Sequence, residues 1–380
     1  MHIKSDCRFF LGDRPCKYHK LFEMECEACQ FYQSAPERVL IVKLGAAGDV
    51  VRTTPLLAPL RERHPRALIY WLTDYPELVP QSVDRILKFS YRNQLVLQAT
   101  PWRAIYNLDK DAEACALVNL LYTPEQYGFK LDNGVCVPIN EMAHDKWLTG
   151  LSDPLNKANT LSYLEEIFLI SGFQYRGEPY LLDEPSAPTF LHFSRGAGVV
   201  GLNTGCGTRW LTRKWPESHW LQLIQYLQHA GLQVLILGGP DEHSFNLELA
   251  RKSGALYPGY YPLKEFVGLV AACDLVVTGV TLALHLALGL QKRVVLMNNI
   301  FNRHEFELFG LGEILEPELS CLGCFKSTCS LNCMALITPD QVFASVLHQL
   351  DRESSSSEVG GHFRESARSP LWANGRNLIQ

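Results

Sequence analysis

Residues 38–55, RVLIVKLGAAGDVVRTTP, contain the turn that decides the fold. A continuous apolar run stops at a glycine-rich bend, and an amphipathic segment opens at Asp49. An uninterrupted apolar run is typical of a parallel strand that is covered on both faces. The stretch therefore predicts a buried strand, a tight turn and a helix, which together open an α/β sheet.

The same alternation continues along the chain. Further strands are predicted for ALIYWLT, AIYNLD, VVGLNTG, LQVLILGG, DLVVTG and RVVLMN, with amphipathic segments between them. YGFKLDNGVCVPI carries the Asp-Asn-Gly signal of a hairpin. Strands that alternate with helices form right-handed βαβ units and parallel sheets. We therefore predict an α/β protein with two doubly wound, Rossmann-like domains that face a cleft.

Composition divides the chain into four parts. Residues 1–35 form a cysteine-rich extension with little hydrophobic periodicity, whereas residues 36–185 and 190–352 are the two predicted domains. Between these domains lies a proline-rich acidic linker. Residues 353–380 are polar and rich in Gly and Ser, so we expect a disordered tail.

Bulk properties exclude some classes of function. The 380 residues are 47% hydrophobic and 20% charged, as in ordinary soluble proteins. A net charge of -5 gives no reason to expect nucleic-acid binding. No apolar run reaches the roughly 18 residues of a membrane span, and the first residues lack a secretory apolar core. We expect a cytoplasmic protein, and peripheral contact with the inner face of the membrane stays open.

Asp49 has two interpretations. On the residues alone, capping of a helix N-terminus is favoured, because this is a common role of Asp. An Asp at that position is also kept ionised by the helix dipole and would face the ligand crevice, which suits a general base. A nicotinamide-dependent oxidoreductase is disfavoured, since only Gly45 and Gly48 remain of the G-x-G-x-x-G fingerprint.

Three segments, in this order, resemble glycosyltransferase family 9, the ADP-heptose:lipopolysaccharide heptosyltransferases. VLIVKLGAAGDVVRTTPLL is similar to the family's first strand and its G-D-V loop. TRKWPESHW is similar to K-x-W-P-x-x-x-W, and GVTLALHLA to D-T-G-x-x-H-x-A. The resemblance extends over residues 37–350 and is specific in the order of its motifs.

The resemblance implies a GT-B fold and inverting, metal-independent transfer of heptose from ADP-heptose to a sugar hydroxyl. It implies that Asp49 is the base and that Gly45 and Gly48 let the acceptor approach the backbone. The donor-binding residues implied by the same motifs, which neutralise the diphosphate or contact the nucleotide, are Arg213, Lys214, Glu242, Thr281 and His285.

Two departures from the donor motif concern the sugar. Val280 and Leu282 stand where the family has Asp and Gly. The loop NNIFNRHEF supplies a candidate replacement set, Asn298, Asn299, Asn302 and Arg303. A surface loop with asparagine turns is the alternative. His285 is also open to two interpretations, a satisfied core histidine or a functional group.

Eight cysteines lie in two clusters. Cys321, Cys324, Cys329 and Cys333 follow the spacing C-x2-C-x4-C-x3-C, and Cys7, Cys16, Cys26 and Cys29 follow C-x8-C-x9-C-x2-C, with His19 as a further candidate ligand. Clustered thiols in a reducing compartment indicate metal binding or redox chemistry. We expect structural zinc or iron at both clusters, and the spacing is compatible with an iron–sulfur cluster as well. Autotransporter heptosyltransferases, a branch of the resembled family, have an iron-binding finger. Free thiols are the alternative.

The sequence therefore predicts an inverting glycosyltransferase with a nucleotide-sugar donor, ADP-heptose, and a glycan or lipid-linked acceptor. The acceptor side is assigned by position to residues 144–160, HDKWLTGLSDPLNKANT. Three alternatives stay open: another nucleotide sugar, a protein acceptor, and a binding protein that keeps the fold without the chemistry.

Overall fold

The computed structural model describes residues 2–185, 188, 191, 193–194, 196–207 and 210–359, with side chains to Asp351. Two sheets, one mostly and one entirely parallel, are each flanked by helices and form two α/β domains. Of the predicted linker, residues 180–190, the structure describes residues 180–185 and 188.

The first domain follows a short helix α1 (Lys17–Phe22) in the extension. Its strands are β1 (Glu37–Val42), β2 (Ala67–Thr73), β3 (Arg85–Lys88), β4 (Ala104–Asn107), β5 (Glu125–Asp132) and β6 (Val135–Pro138). Its helices are α2 (Ala47–Thr53), α3 (Leu57–Arg63), α4 (Tyr91–Gln98), α5 (Ala112–Asn119), α6 (His144–Thr149), α7 (Asp153–Ala158) and α8 (Tyr163–Ile170).

The first sheet has the order β3-β2-β1-β4-β5-β6. β1 lies at its centre, pairs in parallel with β2 and β4, and is buried from Val39 to Val42. The predicted hairpin is present, because β5 and β6 are antiparallel and Asn133 and Gly134 both have positive φ. Strand order reverses between β1 and β4, and open α/β sheets bind ligands beyond the strand ends at such a point.

The second domain repeats this plan. Its strands are β7 (Val199–Asn203), β8 (Gln233–Leu237), β9 (Leu275–Gly279), β10 (Arg293–Met297) and β11 (Gly312–Leu315). Its helices are α9 (Glu217–His229), α10 (His243–Ser253), α11 (Leu263–Ala271), α12 (Leu282–Gly289) and α13 (Pro339–Val359). All its strands are parallel, in the order β11-β10-β9-β7-β8, so the order reverses between β7 and β9. The two sheets confirm the predicted fold class.

Two boundaries differ from the sequence pattern. The amphipathic stretch after Asp49 forms two helices, α2 and α3, because a 3₁₀ turn at Thr54–Leu56 with Pro55 separates them. Helix α13 continues to Val359, seven residues beyond position 352, and residues 360–380 of the predicted tail lie outside the described part. No described helix is long and apolar enough to cross a bilayer.

The cysteine-rich extension is held to the first domain by polar contacts. Arg8 forms an ion pair with Asp84 at 2.5 Å and donates to the carbonyl of Ala67. Among the described residues before Glu37, only Ala35 is buried. The extension therefore has almost no hydrophobic core of its own.

The connection between the domains starts with residues that contact both of them. Leu181 N donates to Thr54 Oγ1 at 2.8 Å, and Asp183 accepts from Gln81 N at 2.9 Å, both in the first domain. The buried ring of Tyr180 packs against Phe309 of the second domain, with the ring centroids 5.0 Å apart.

We predict that Gly128→Ala destabilises the first domain by roughly 3 kcal/mol. Gly128 has φ of +96°, and an added Cβ would lie 1.8 Å from the carbonyl oxygen of Asn107 in β4. Gly134→Ala is the matched control, because Gly134 has φ of +81° but open space around it. It should cost only about 1 kcal/mol of backbone strain. Urea unfolding measures both, and equal losses would contradict the steric argument.

Candidate active site

Asp109, at the end of β4, anchors the loop that follows β1. Its Oδ2 accepts from the backbone N–H groups of Leu44 and Gly45 at 2.8 and 3.2 Å, and from Lys43 Nζ at 3.5 Å. All these atoms lie where the strand order of the first sheet reverses. One buried carboxylate thus fixes the loop before Asp49.

Asp49 lies in the first turn of α2, and the N-cap of that helix is Ala46. Its carboxylate is 3.8 Å from Lys43 Nζ and 3.3 Å from an Arg52 guanidinium nitrogen, and the side chain is 31% exposed. Burial alone would raise the pKa of Asp49, but Lys43 and Arg52 outweigh it and hold the pKa below its ordinary value. An ionised, accessible carboxylate is therefore available to accept a proton.

Arg52 connects the two domains. Its guanidinium contacts Glu305 Oε1 at 2.9 Å and the Glu305 carbonyl at 3.0 Å, across the cleft. It also stacks on Tyr163, with 3.7 Å between Cζ and the ring centroid, and is only 4% exposed. Burial would lower the pKa of Arg52, yet Glu305 and Asp49 raise it above its ordinary value.

Helices α2 and α12, from different domains, meet at Gly48. An added Cβ there would lie 2.5 Å from His285 Cδ2. His285 is buried, and its Nδ1 has no hydrogen-bond partner among the described residues. Burial, with a smaller contribution from Arg52, lowers the pKa of His285 to about 3, so the imidazole is neutral at physiological pH. The site needs glycine at position 48 because an imidazole occupies the space of a side chain.

A cavity of about 430 Å³ lies where the strand order of the second sheet reverses. Three of the donor residues expected from sequence line it, namely Arg213, Glu242 and Thr281. Glu242 accepts from Gly239 N at 3.1 Å. Thr281 caps α12 by accepting from Ala283 N at 3.2 Å. The volume and polar lining suit a small polar ligand.

Arg213 brings a positive charge to this cavity. Its guanidinium donates to the carbonyls of Val280 and Cys206, and its buried Nε has no partner among the described residues. No carboxylate of the described chain pairs with it, and burial lowers its pKa from the ordinary value. A half-buried cation that contacts carbonyl groups and the rings of Trp210 and Phe301, with no carboxylate partner among the described residues, favours an anionic ligand.

Other residues expected at the donor site lie elsewhere. Lys214 is exposed and is not among the described lining residues. Asn298 donates to Phe301 O and to Glu316, whereas Asn299 donates to Thr212 O and to Cys333 Sγ. These two buried amides hold neighbouring loops in place. They do not line the cavity, in contrast to the donor-binding role expected from sequence.

The other two residues of that loop also have protein partners. Asn302 donates to the carbonyls of Asn156 and Asn159, and Arg303 pairs with Glu316 at 3.1 Å. In particular, Asn302 joins the second domain to the end of α7 in the first.

The cysteine clusters differ in how closely they gather. The four N-terminal cysteines and His19 line one cavity of about 390 Å³, whereas Cys321 and Cys329 are exposed to solvent. Among the described residues, no three His, Cys, Asp or Glu side chains are arranged to hold a metal ion. Structural metal at either cluster stays a prediction, and no chemical step involves it.

Several polar residues of the site do not follow from the sequence motifs. Lys43 and Arg52 flank Asp49 within the opening stretch, and their charge next to a candidate base is a signal that could have identified them. Asp109 and Glu305 are far away in sequence, and their role follows only from the fold.

Comparison with known proteins connects this geometry to a family. Residues 190–334, which include the lining of the cavity in the second domain, match the model of glycosyltransferase family 9 (heptosyltransferase). This match assigns the stretch 190–334, in the second domain, to the glycosyltransferase family 9 domain. The predicted recognition is confirmed, and the protein is a glycosyltransferase. None of the curated proteins matches the chain.

Solved structures of glycosyltransferases share the fold of this chain. ADP-heptose lps heptosyltransferase II of E. coli has a TM-score of 0.62 at 16% identity, covering 83% of this chain and 99% of that one. E. coli heptosyltransferase WaaC, solved with ADP-2-deoxy-2-fluoro heptose, gives 0.57 at 18%, with 83% and 99% covered. The iron-containing dodecameric glycosyltransferase TibC of enterotoxigenic E. coli gives 0.55 at 17%, with 84% and 77% covered. The fold is therefore GT-B.

We predict that His285 makes the stability of this glycosyltransferase depend on pH. Between pH of about 3 and 6.5, the unfolded chain binds a proton at this histidine that the folded protein does not. Stability from this group therefore rises with pH across that window, by at most about 1.4 kcal/mol per pH unit. His285→Gln should flatten the slope in urea unfolding from about pH 5 to about pH 7.

His229→Gln is the control, because His229 is exposed. A slope that His285→Gln leaves unchanged would contradict a neutral, buried imidazole.

Proposed function

We propose that the protein transfers heptose from ADP-heptose to a hydroxyl of a glycan or lipid-linked acceptor, with inversion, and that Asp49 is the base. The observation that carries the proposal is an ionised, partly exposed Asp49 on a helix that packs against a wall of the donor cavity.

Helix α12 links the base to the donor. Its cap, Thr281, lines the cavity, and His285, four residues later, contacts Gly48 next to the base. Four residues of helix span about 6 Å, so a sugar at the cavity mouth would lie within reach of Asp49. The arrangement supports attack by an acceptor hydroxyl that enters from the side of the first domain.

The donor cavity has the charges that a nucleoside diphosphate sugar needs. Arg213, with no carboxylate partner among the described residues, would neutralise the leaving diphosphate, and the carboxylate of Glu242 can accept hydrogen bonds from ribose hydroxyls. The complex of WaaC with a fluorinated ADP-heptose supports this donor class. Val280 and Leu282 leave an apolar patch in the lining, which a heptose must tolerate here.

In the reaction, Asp49 takes the proton of the acceptor hydroxyl. The hydroxyl oxygen forms a bond to the anomeric carbon on the face opposite the diphosphate, and the bond from that carbon to the diphosphate oxygen breaks. ADP leaves with the electron pair, which the charge of Arg213 stabilises. Every atom transferred comes from the two substrates, and no metal ion takes part.

The acceptor side is proposed for helices α6 to α8. They surround a cavity of about 330 Å³ that contains Lys146 and Glu166, joined by an ion pair at 2.5 Å, together with apolar side chains such as Leu155. A mixed polar and apolar lining suits a sugar attached to a lipid. The charge of Lys146 also helps to lower the pKa of Asp49, which supports an acceptor cavity on this side of the base.

We predict that Asp49→Asn lowers kcat by at least about a hundredfold, because the amide cannot accept the hydroxyl proton. The dissociation constant for ADP, measured by calorimetry, should stay within about twofold, since the donor cavity does not contain Asp49. Asp132→Asn, at the exposed hairpin of the first domain, is the matched control. Full turnover in Asp49→Asn would remove the base from this position.

We predict that Arg213→Gln weakens ADP binding by about 10- to 100-fold, because a charge-assisted contact to phosphate is worth about 1.5–3 kcal/mol. Adenosine, which has no phosphate, should bind both proteins equally. Equal losses for ADP and adenosine would indicate a misfolded cavity rather than a lost phosphate contact. If wild-type protein binds ADP-heptose but never releases ADP with any acceptor, the alternative of a binding protein is supported.

A further inference from the structure

Asp49 is surrounded by charged and titratable groups from every element packed against it. They are Lys43 after β1, Arg52 in α2, Lys146 in α6, Tyr163 in α8, Tyr180, His285 in α12, and, through Arg52, Glu305. Most of them belong to the first domain. Glu305 differs, because it is a carboxylate from the second domain and contacts the same guanidinium nitrogen as Asp49 does.

Arg52 is fixed on every side of its guanidinium. Tyr163 covers its face, Asp49 and Glu305 share one terminal nitrogen, and the Glu305 carbonyl takes the other. The Arg52 side chain is almost fully buried. If either Asp49 or Glu305 is removed, the guanidinium keeps the other carboxylate as its partner. An arginine so constrained holds the carboxylate of Asp49 in one orientation.

The turn that carries Glu305 is itself attached to the first domain. Glu305 ends a short 3₁₀ turn, Arg303–Glu305, whose N-cap Asn302 accepts from His304 N at 3.1 Å. The amide of Asn302 donates to Asn156 O at 2.6 Å and to Asn159 O at 2.7 Å, at the end of α7. The contact between Glu305 and Arg52 therefore depends on how the two domains meet.

We propose that Arg52 is the positioning residue of the base, and that Glu305 holds Arg52 from the opposite domain, so that Asp49 is set for proton transfer only when the domains are in contact. The inference rests on the proposed role of Asp49. It adds a residue pair that controls the base without touching either substrate, and it makes domain contact a condition for chemistry rather than for donor binding.

The first test replaces the cation. In Arg52→Gln, Asp49 loses its nearer cation, so the acid limb of the profile of kcat/KM against pH should move up by about one to two units. The value of kcat should fall by at least about tenfold, with the ADP dissociation constant unchanged within about twofold. An acid limb at the wild-type position would overturn the proposal.

The second test removes the partner across the cleft. Glu305→Gln should lower kcat by about tenfold and leave ADP binding unchanged. The double variant Arg52→Gln with Glu305→Gln should be no slower than Arg52→Gln alone, because Glu305 acts only through Arg52. Additive losses of kcat would contradict the inference that Glu305 acts through Arg52. The double variant also leaves no charge without its partner, so it keeps the test valid if Arg52→Gln alone does not fold.

Glu307→Gln is the matched control. Glu307 lies two residues further along the same segment and accepts from Phe309 N at 2.9 Å, a contact that glutamine can keep. None of its described contacts is with Arg52. The same charge change should leave kcat and the acid limb unmoved, and a loss equal to that of Glu305→Gln would contradict a specific role for Glu305.

A direct titration separates this inference from the proposed reaction. Protein labelled with ¹³C at aspartate carboxyl groups reports the protonation of Asp49 by NMR, with the signal assigned by its absence in Asp49→Asn. A higher pKa of Asp49 in Arg52→Gln supports the coupling between Arg52 and Asp49 even if no sugar is transferred. In that case only the proposed function fails. An unchanged pKa of Asp49 in Arg52→Gln overturns the coupling even if sugar transfer is observed.

Discussion

The close approach of helices α2 and α12 at Gly48 is the constraint on which the site depends. The imidazole of His285 occupies the space that a side chain at position 48 would fill. The first turn of α2, in the first domain, therefore lies directly against α12 of the second domain. Asp49, the proposed base, and the cavity of the second domain are therefore both positioned relative to α12. Because His285 is buried in its neutral form, the contact between α2 and α12 does not desolvate a charged imidazole.

The sequence predicted most of the architecture because the spacing of apolar residues indicates which face of each segment is buried. Continuous apolar runs correctly identified β1, β2, β9 and β10, and the Asp-Asn-Gly signal identified the hairpin. Of the candidate site, Arg213, Glu242 and Thr281 were found because glycosyltransferase motifs place them at strand ends. These relations are local, so the amino-acid sequence contains them.

The remaining parts depend on contacts between distant residues. Nothing near Arg52 in sequence indicates Glu305, and the amides of Asn298 and Asn299 could face a ligand or a carbonyl with the same local pattern. The structure assigns both amides to loop support. The residues alone favoured Asp49 as the cap of its helix, yet Ala46 holds that position because the chain enters α2 three residues earlier.

The connection between the domains has a further consequence. Its first residues are attached to both halves, through Leu181 and Asp183 on one side and the ring of Tyr180 on the other. The start of the linker, residues 180–183, is thus packed between the domains and is more than a passive connection. Chain length inserted before Tyr180 would change the alignment of the two halves, and not merely their separation, so this stretch belongs to the structural definition of the active site.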